Sequence, residues 1–336
     1  MRKLQKFLPL FLVVSLTACS KSSETIMSKE LFAFDSFVSI KLDAGENSEE
    51  AISGLEKITK MVDAISDSYK KRDTFGIYEL NQTNEKVKIS EDLYDLLSWA
   101  KEAEKIAPNY NPLVGSLSNK WKEALAKNEV LSKAVIQEEL TKINNSSLMI
   151  EKNNNEYFAQ RVGDALIDLG GIAKGYALDR YQSFLQNEYY SNNEGNYLIN
   201  AGASSILLGE GEAHKKNEKY YSVKIKDLKK TTYFRMSQSF VSTSGISEQK
   251  TIIDGNTYSH IIDPKTGSAV SLYDAVIVIT GNEKYGNGAL GDALSTSLMM
   301  SSLKEIEEVE KSTGFKVIVV KDDDVLYQSG GIELYH

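Results

Sequence analysis

The chain has 336 residues, 41% apolar and 26% charged, a composition that points to a soluble globular fold and away from a disordered or fibrous one. Lys and Arg total 39 against 47 Asp and Glu, and the net charge of −8 argues against a nucleic-acid partner. One cysteine in the whole sequence leaves no internal disulfide to form and no Cys-based metal cluster or paired-thiol chemistry.

Arg2, Lys3 and Lys6 form a positive amino-terminal region, and residues 7–16 (FLPLFLVVSL) are an apolar run too short to span a bilayer as a stable helix. Leu16-Thr17-Ala18-Cys19 places small residues directly before the lone cysteine. This start resembles a bacterial lipoprotein precursor, with 1–18 a leader removed before Cys19 and 19–29 a polar, flexible tether. Acyl chains on Cys19 would bury roughly 0.8 kcal/mol per CH₂, enough with two or more chains to hold the protein on the extracytoplasmic face of the cell membrane. The membrane contact expected is that lipid anchor alone, since no later segment is long and apolar enough to cross.

Residues 30–336 read as one domain, without repeats or low-complexity linkers. Residues 32–42 alternate as a first strand, and 50–69 carry Ile52, Leu55, Ile58, Val62 and Ile65 at helical spacing. Helices are expected over 91–107, 116–127 and 132–143, the first two separated by the breaker Pro108 to Pro112. Residues 148–168 suggest a hairpin around Asn153-Asn154-Asn155 that ends in the buried run Ala165-Leu166-Ile167, with a helix over 173–186. Strands then dominate, at 197–208, 220–226, 231–241, 258–262 and 275–280. A helix over 290–311 precedes a last pair at 315–320 and 325–328. Without regular βα alternation the class is α+β, a single compact mixed domain.

Three segments carry chemistry. In Asp168-Leu169-Gly170-Gly171-Ile172-Ala173-Lys174-Gly175 a strand runs through paired glycines into a helix with Lys174 in its first turn, an arrangement suited to anions. A tight turn with a solvent lysine fits that spacing equally well. In Gly291-Asp292-Ala293-Leu294-Ser295-Thr296, the oxygens of Asp292, Ser295 and Thr296 share one helical face and could hold a hard cation. Taken alone, this segment is better explained by an Asp favoured by the helix dipole, with Ser and Thr facing the core. Ser242-Thr243-Ser244-Gly245 is a hydroxyl-rich turn, followed by His260-Ile261-Ile262-Asp263-Pro264-Lys265-Thr266-Gly267. Of the three histidines, His214 lies in a polar loop and His336 is terminal, which leaves His260 as the one plausible functional histidine, although a lone histidine is more often a satisfied structural residue than a catalyst.

In this order, these segments resemble the ApbE family of flavin transferases, over essentially all of the chain after Cys19. Phe34-Asp35-Ser36, Ser66-Asp67-Ser68-Tyr69, Asn111 to Leu117 with Trp121, and Asn200-Ala201-Gly202 extend the match. The resemblance implies an ApbE-like fold and a Mg²⁺-dependent FAD:protein FMN transferase. It would attach FMN by a phosphoester to a Thr of an exported acceptor protein, releasing AMP. It also implies metal ligation by Asp292 and Thr296, with Gly171 and Ser295 near, and FAD contacts from Asp168, Lys174 and Ser244. His260 and Asp292 would serve catalysis, Tyr69 would stack on the flavin, and Phe34, Tyr110, Asn111, Pro112 and Ile262 would line its pocket. Departures include Phe34-Asp35-Ser36 where many relatives have Met-Gly-Thr, Asn111 for Asp, Leu113 for Thr, and Ser268 after the HIIDPKTG segment. These bear on flavin orientation and partner recognition more than on the metal pair. The alternatives are a Mg²⁺-dependent FAD pyrophosphatase and a non-catalytic FAD-binding lipoprotein.

Overall fold

The computed structural model describes residues 26–45, 47–190, 195–215, 218–226, 228–247, 250–269, 271–281 and 287–336. The expected leader, Cys19 and the first part of the expected tether lie outside the described residues. The rest of that tether does not: β1 (Ile26–Ala33) begins inside it and pairs with β2 (Ser36–Asp43). The single strand expected over 32–42 is therefore a hairpin. Phe34 (φ 55°) and Asp35 (φ 52°) both sit in the left-handed region, as a two-residue hairpin turn requires. The Phe34 N–H donates to Asp63 Oδ1 at 2.7 Å, which holds a bulky residue in a backbone well it rarely visits.

Helix α1 (Ser48–Ser66) buries Ala51, Ile52, Leu55, Thr59, Val62 and Ile65 on one face, the stripe its periodicity predicts. It stops at Ser66, earlier than expected, because Asp67 Oδ1 accepts from the Tyr69 and Lys70 N–H groups and turns the chain. The chain continues through α2 (Ile77–Leu80), β3 (Val87–Ile89), α3 (Glu91–Ile106), a 3₁₀ turn at Pro112–Val114, α4 (Gly115–Ala126) and α5 (Lys133–Asn144). The hairpin of β4 (Ser147–Asn153) and β5 (Glu156–Val162) joins β3 in a small sheet, order β3-β5-β4.

Helix α6 (Ala173–Phe184) ends in a π turn, Leu185–Tyr189. The strand expected over 197–208 is two, β6 (Tyr197–Ala201) and β7 (Ser205–Leu208), reversed at Gly202 (φ 68°) and Ala203 (φ 58°). After β8 (Glu212–Lys215) and β9 (Glu218–Ile225), the strand expected over 231–241 also divides, at Gln238 (φ 45°), into β10 (Thr232–Met236) and β11 (Ser239–Gly245). A short hairpin follows, β12 (Lys250–Ile253) and β13 (Asn256–Ser259), so His260 to Ile262 lie beyond the strand, not within it. β14 (Ala275–Thr280) precedes α7 (Gly288–Leu298) and α8 (Leu303–Thr313), which replace the single helix expected over 290–311. The break is a capping box: Ser302 Oγ accepts from Glu305 N while Glu305 Oε2 accepts from Ser302 N. β15 (Lys316–Lys321) and β16 (Asp324–Gln328) close the chain.

The main sheet is antiparallel, order β1-β2-β6-β7-β11-β14-β15-β16. One face sends Val38, Ile40, Ile199, Leu207, Phe240, Val276, Val278, Val317 and Val319 into the core shared with α1, α3, α6 and α7. The other face packs Ile206, Leu208, Val241, Ile277, Ile279, Ile318 and Val320 against Val223, Ile225 and Phe234 of the β8-β9-β10 sheet. Burial on both faces of the central strands makes the α+β class one domain.

Helices α6 and α7 meet backbone to backbone. A Cβ on Gly175 would stand 2.0 Å from the Gly288 carbonyl oxygen, and one on Gly288 would stand 2.5 Å from that of Gly175. Gly175→Ala must push the two helices apart, and we expect a loss of about 3 kcal/mol or more in urea unfolding. Gly330→Ala, where nothing lies within 4 Å, should stay within about 0.5 kcal/mol of the parent.

Candidate active site

The segment before α6 is held by a side-chain amide and two separate backbone bonds and not by a strand ladder, unlike the strand expected from its apolar run. Asn81 bonds both backbone groups of Ile167, accepting from its N–H at 2.8 Å and donating to its carbonyl at 2.9 Å. Gly115 N donates to Leu166 O and Asp168 N to Pro112 O, each at 2.8 Å, so the start of α4 and the 165–168 run are laced together. Asn111 Oδ1 caps the turn that follows it, accepting from Leu113 N at 2.8 Å. Asp168 then accepts from Gly170 N at 2.8 Å and the chain enters α6 at Ala173.

Asp292 is the most heavily bonded carboxylate of the α7 face. It is 6% exposed, and Gly175 N, an N–H in the first turn of α6 with no partner in its own helix, donates to Oδ2 at 2.7 Å. Ser242 Oγ donates to Oδ1 at 2.7 Å, and Ser205 Oγ lies 2.8 and 3.0 Å from the two oxygens. Burial raises the Asp292 pKa, while Lys174, Ser242, Ser205 and the Gly175 N–H pull it back. Ser205 and Ser242 are register partners on β7 and β11, so adjacent strands present both hydroxyls side by side.

One turn further along α7, Ser244 Oγ lies 2.9 Å from Ser295 Oγ and 3.1 Å from Thr296 Oγ1, and Ser295 Oγ donates to the Asp292 carbonyl. Gly171 faces Thr296, since a Cβ there would be 3.4 Å from Thr296 Oγ1. The Lys174 ammonium borders Gly202, where a Cβ would be 3.8 Å from Nζ and 2.7 Å from Ser36 Oγ. The structure thus brings Gly171, Lys174, Ser244, Asp292, Ser295 and Thr296 to one place.

Aromatic groups lie around it. Tyr69, 45% exposed, follows the Asp67 turn, and Lys122 Nζ rests 4.5 Å from its ring centroid. Burial, then Asp168, Asp35 and Asp67, push the Tyr69 phenol up to about 12. Asp168 is itself raised by burial, with the Gly170 N–H and Lys122 acting against it. Tyr110 has a buried hydroxyl with no hydrogen-bond partner among the described residues, and its pKa is raised by burial first and then by Asp168, Glu104 and Asp292. Phe34 packs half-buried at the hairpin turn, and Pro112 and Ile262 are buried. His260 is exposed just past β13, in the segment anchored where Trp121 Nε1 donates to Gly267 O at 2.8 Å.

The donor set suits a divalent hard cation. Among the described residues no group of three or more His, Cys, Asp and Glu converges as a metal cluster. What converges is one carboxylate with the hydroxyls of Ser244, Ser295 and Thr296, all oxygen, with the Gly171 backbone alongside, a set of the kind that Mg²⁺ completes with substrate phosphates and water. The single Ser205 proton can serve only one oxygen at a time, so Asp292 has three donors for about four lone-pair sites. About one lone-pair site is left without a donor among the described residues.

Sequence reasoning missed four contributors. Ser205 carries no motif signal at all. Ser242 stands first in Ser242-Thr243-Ser244-Gly245, which is the end of strand β11 and not the turn expected, and its partner could not be read. Lys122 is an ordinary helix-surface lysine until α4 is placed beside Tyr69. Asp179 lies four residues beyond Gly175 on α6, and it accepts from Gly288 N at 2.6 Å and Ala289 N at 3.0 Å, the first donors of α7.

A model of the ApbE family matches residues 34–319. The FAD:protein FMN transferase of Klebsiella pneumoniae (strain 342) is 26% identical over 248 residues, spanning 72% of this chain and 73% of that protein. The protein of the same name from Haemophilus influenzae is 24% identical over 332 residues, spanning 93% and 91%. Among solved structures, the ApbE protein of Thermotoga maritima superposes with a TM-score of 0.72 at 22% identity, covering 92% of this chain and 96% of that one. The flavin transferase ApbE of Vibrio cholerae gives 0.71 at 20% identity, covering 93% and 96%. At those identities the structures share the fold.

Burial, with a further push from Asp292, raises the Asp179 pKa to about 7 against the pull of its two N–H donors. The folded chain then keeps a proton that the unfolded chain releases near pH 4. The Asp179 contribution to stability is full at low pH and is lost as pH rises through about 7. Urea unfolding of Asp179→Asn from pH 5 to 8 should show its stability, relative to the parent, shifting in its favour by up to about 3 kcal/mol. A difference that stays flat over that range would refute the assignment.

Proposed function

The chain belongs to the ApbE family, and on that premise we propose that it is a Mg²⁺-dependent FAD:protein FMN transferase. The observation that carries the reading is the buried Asp292 carboxylate, fixed by three donors beside Lys174 and Thr296 with one lone pair to spare. Asp292, Thr296, Ser295 and the Gly171 backbone would hold Mg²⁺, which when bound neutralises pyrophosphate charge and polarises the phosphorus under attack.

The protein's own groups orient and charge-balance the substrate. Lys174 and the start of α6 face the phosphates of FAD, supplying positive potential that an acidic protein otherwise lacks. Tyr69 offers a ring face to the isoalloxazine, and Phe34, Asn111, Pro112 and Ile262 bound its pocket. The unpartnered Tyr110 hydroxyl, near Asp168, is placed to gain a polar partner when the pocket fills. The Thr hydroxyl of an acceptor protein attacks the FMN-side phosphorus, and its proton passes to His260. The bond from that phosphorus to the bridging oxygen breaks, its electron pair leaves with AMP, and FMN remains as a phosphoester. Because nearly all of this is positioning and electrostatics, preorganised oxygens on rigid helices and strands suit it.

The leader-like residues 1–18 and Leu16-Thr17-Ala18-Cys19 support the further reading that the protein is lipid-anchored at Cys19 on the extracytoplasmic face of the membrane. Its acceptor would then be exported as well. No helix among the described residues is long and apolar enough to cross a membrane.

Incubation with FAD, Mg²⁺ and a Thr-containing acceptor should add an FMN mass to the acceptor and release equimolar AMP. EDTA should abolish both, and Asp292→Ala should lower the rate at least about 100-fold. AMP with free FMN and no labelled acceptor would favour the pyrophosphatase, and tight FAD binding without AMP would leave a binder. Ser205→Ala removes a donor to Asp292 without touching the substrate, and should raise the Mg²⁺ concentration for half-maximal rate by about 10- to 100-fold. An unchanged Mg²⁺ dependence would show that Ser205 does not set the metal affinity.

A further inference from the structure

The outer face of the main sheet is covered unevenly. The β8-β9-β10 sheet shields it over β7, β11, β14 and β15. At the hairpin end, Phe32 is 68% and Phe37 45% exposed. The two are cross-strand partners, with ring centroids 5.5 Å apart and planes at 78°. Strand register, not a loop, holds this pair. Its two rings are therefore preordered, and binding to them costs little side-chain entropy. Exposed paired aromatics beside a reactive centre are the kind of surface that anchors protein partners.

Their position ties them to the site. The Phe37 carbonyl accepts from Gly202 N at 2.9 Å, and Gly202 borders both Ser36 Oγ and the Lys174 ammonium. Phe37 lies on the sheet face opposite α6 and α7, one residue from Ser36. The aromatic pair is thus on the order of 10–15 Å from Lys174, a distance spanned by about three to five residues of extended chain. With FAD placed on Lys174 as in the reading above, the phosphates would lie on the α6–α7 side of the hairpin and the aromatic pair on the other, so an acceptor that brings its Thr to the phosphates past the hairpin turn would meet the pair.

We propose that Phe32 and Phe37 form the docking surface for the acceptor protein, taking an apolar side chain about three to five residues from the modified Thr. The inference rests on the transferase reading above. It adds the part of the acceptor that is recognised and the residues that recognise it.

The test uses the full-length chain in lipid nanodiscs, FAD, Mg²⁺ and a peptide library with one fixed central Thr and randomised flanks. Flavinylated peptides are isolated by flavin fluorescence and sequenced. Those labelled by the parent should be enriched in Leu, Ile, Val, Met or Phe at one position three to five residues from the Thr. With Phe32→Ser/Phe37→Ser that enrichment should vanish. For a selected peptide KM should rise about tenfold, the size expected for truncating an interface aromatic, while kcat and FAD affinity stay unchanged. If the double variant loses FAD affinity or cooperative unfolding, Phe32→Ser alone, at the more exposed position, should still raise KM. Labelled peptides with no apolar preference, or the same preference in the variant, would overturn the docking surface and leave the transferase standing. A dimeric parent that the variant makes monomeric, with peptide KM unchanged, would assign the pair to self-association and also overturn it. FAD binding with no peptide labelled at all would bring down the transferase reading, and this inference with it.

Discussion

Helices α6 and α7 cap each other. Asp292 on α7 takes the Gly175 N–H in the first turn of α6, while Asp179 on α6 takes the first two N–H groups of α7. Each carboxylate thereby satisfies orphan donors and sits in the positive end of its neighbour's dipole. The exchange needs the two backbones in contact, which only glycine at 175 and 288 permits. From that contact follow the orientation of Lys174, the depth of Asp292 and the approach of Gly171 to Thr296. Loosening it would separate Lys174 from the Asp292 carboxylate.

The sheet supplies the other half of the constraint. Antiparallel pairing of β7 with β11 sets Ser205 opposite Ser242, and α7 lies across both strands. A buried carboxylate unsupported by donors would shift toward its neutral form, useless to a cation. Two serine hydroxyls and a backbone N–H supply that support while leaving coordination capacity. The same economy marks the 165–168 run, where Asn81 replaces a missing neighbouring strand with its side-chain amide. It lets Asp168 and the paired glycines leave the core at a fixed angle without being locked into a ladder.

The rim is built from less comfortable backbone. Phe34, Asp35 and Ala203 all occupy the left-handed region, beside Lys174 or the Asp63 latch. Strain of this kind, on the order of 1–3 kcal/mol per residue, persists only where the surroundings enforce it. Here the enforcing contacts are the Asp63 carboxylate on Phe34 N and the Asn200 side chain on Ala203 N. Both strained turns lie at the edge of the candidate site, where an acceptor and a dinucleotide would have to meet.

Much of this was legible without coordinates. The stripe of α1, the glycine–lysine entry to α6, the α7 face of Asp292, Ser295 and Thr296, and the α+β class all follow from local periodicity and turn chemistry. The S-x-x-E signature at Ser302 was present and would have divided the last long helix. Three expected strands were too long because hairpin turns at Phe34-Asp35, Gly202-Ala203 and Gln238 use residue types that do not announce a reversal, apart from one glycine. Only the tertiary structure decided that Ser205, 87 residues from Asp292, holds its carboxylate, that Asp179 caps α7, and that Lys122 rests on Tyr69. A sequence records burial at periods of 2 and 3.6 and the hydrogen bonds of neighbouring residues. It does not record strand order and register, and those alone bring residues so far apart in the chain within hydrogen-bond reach.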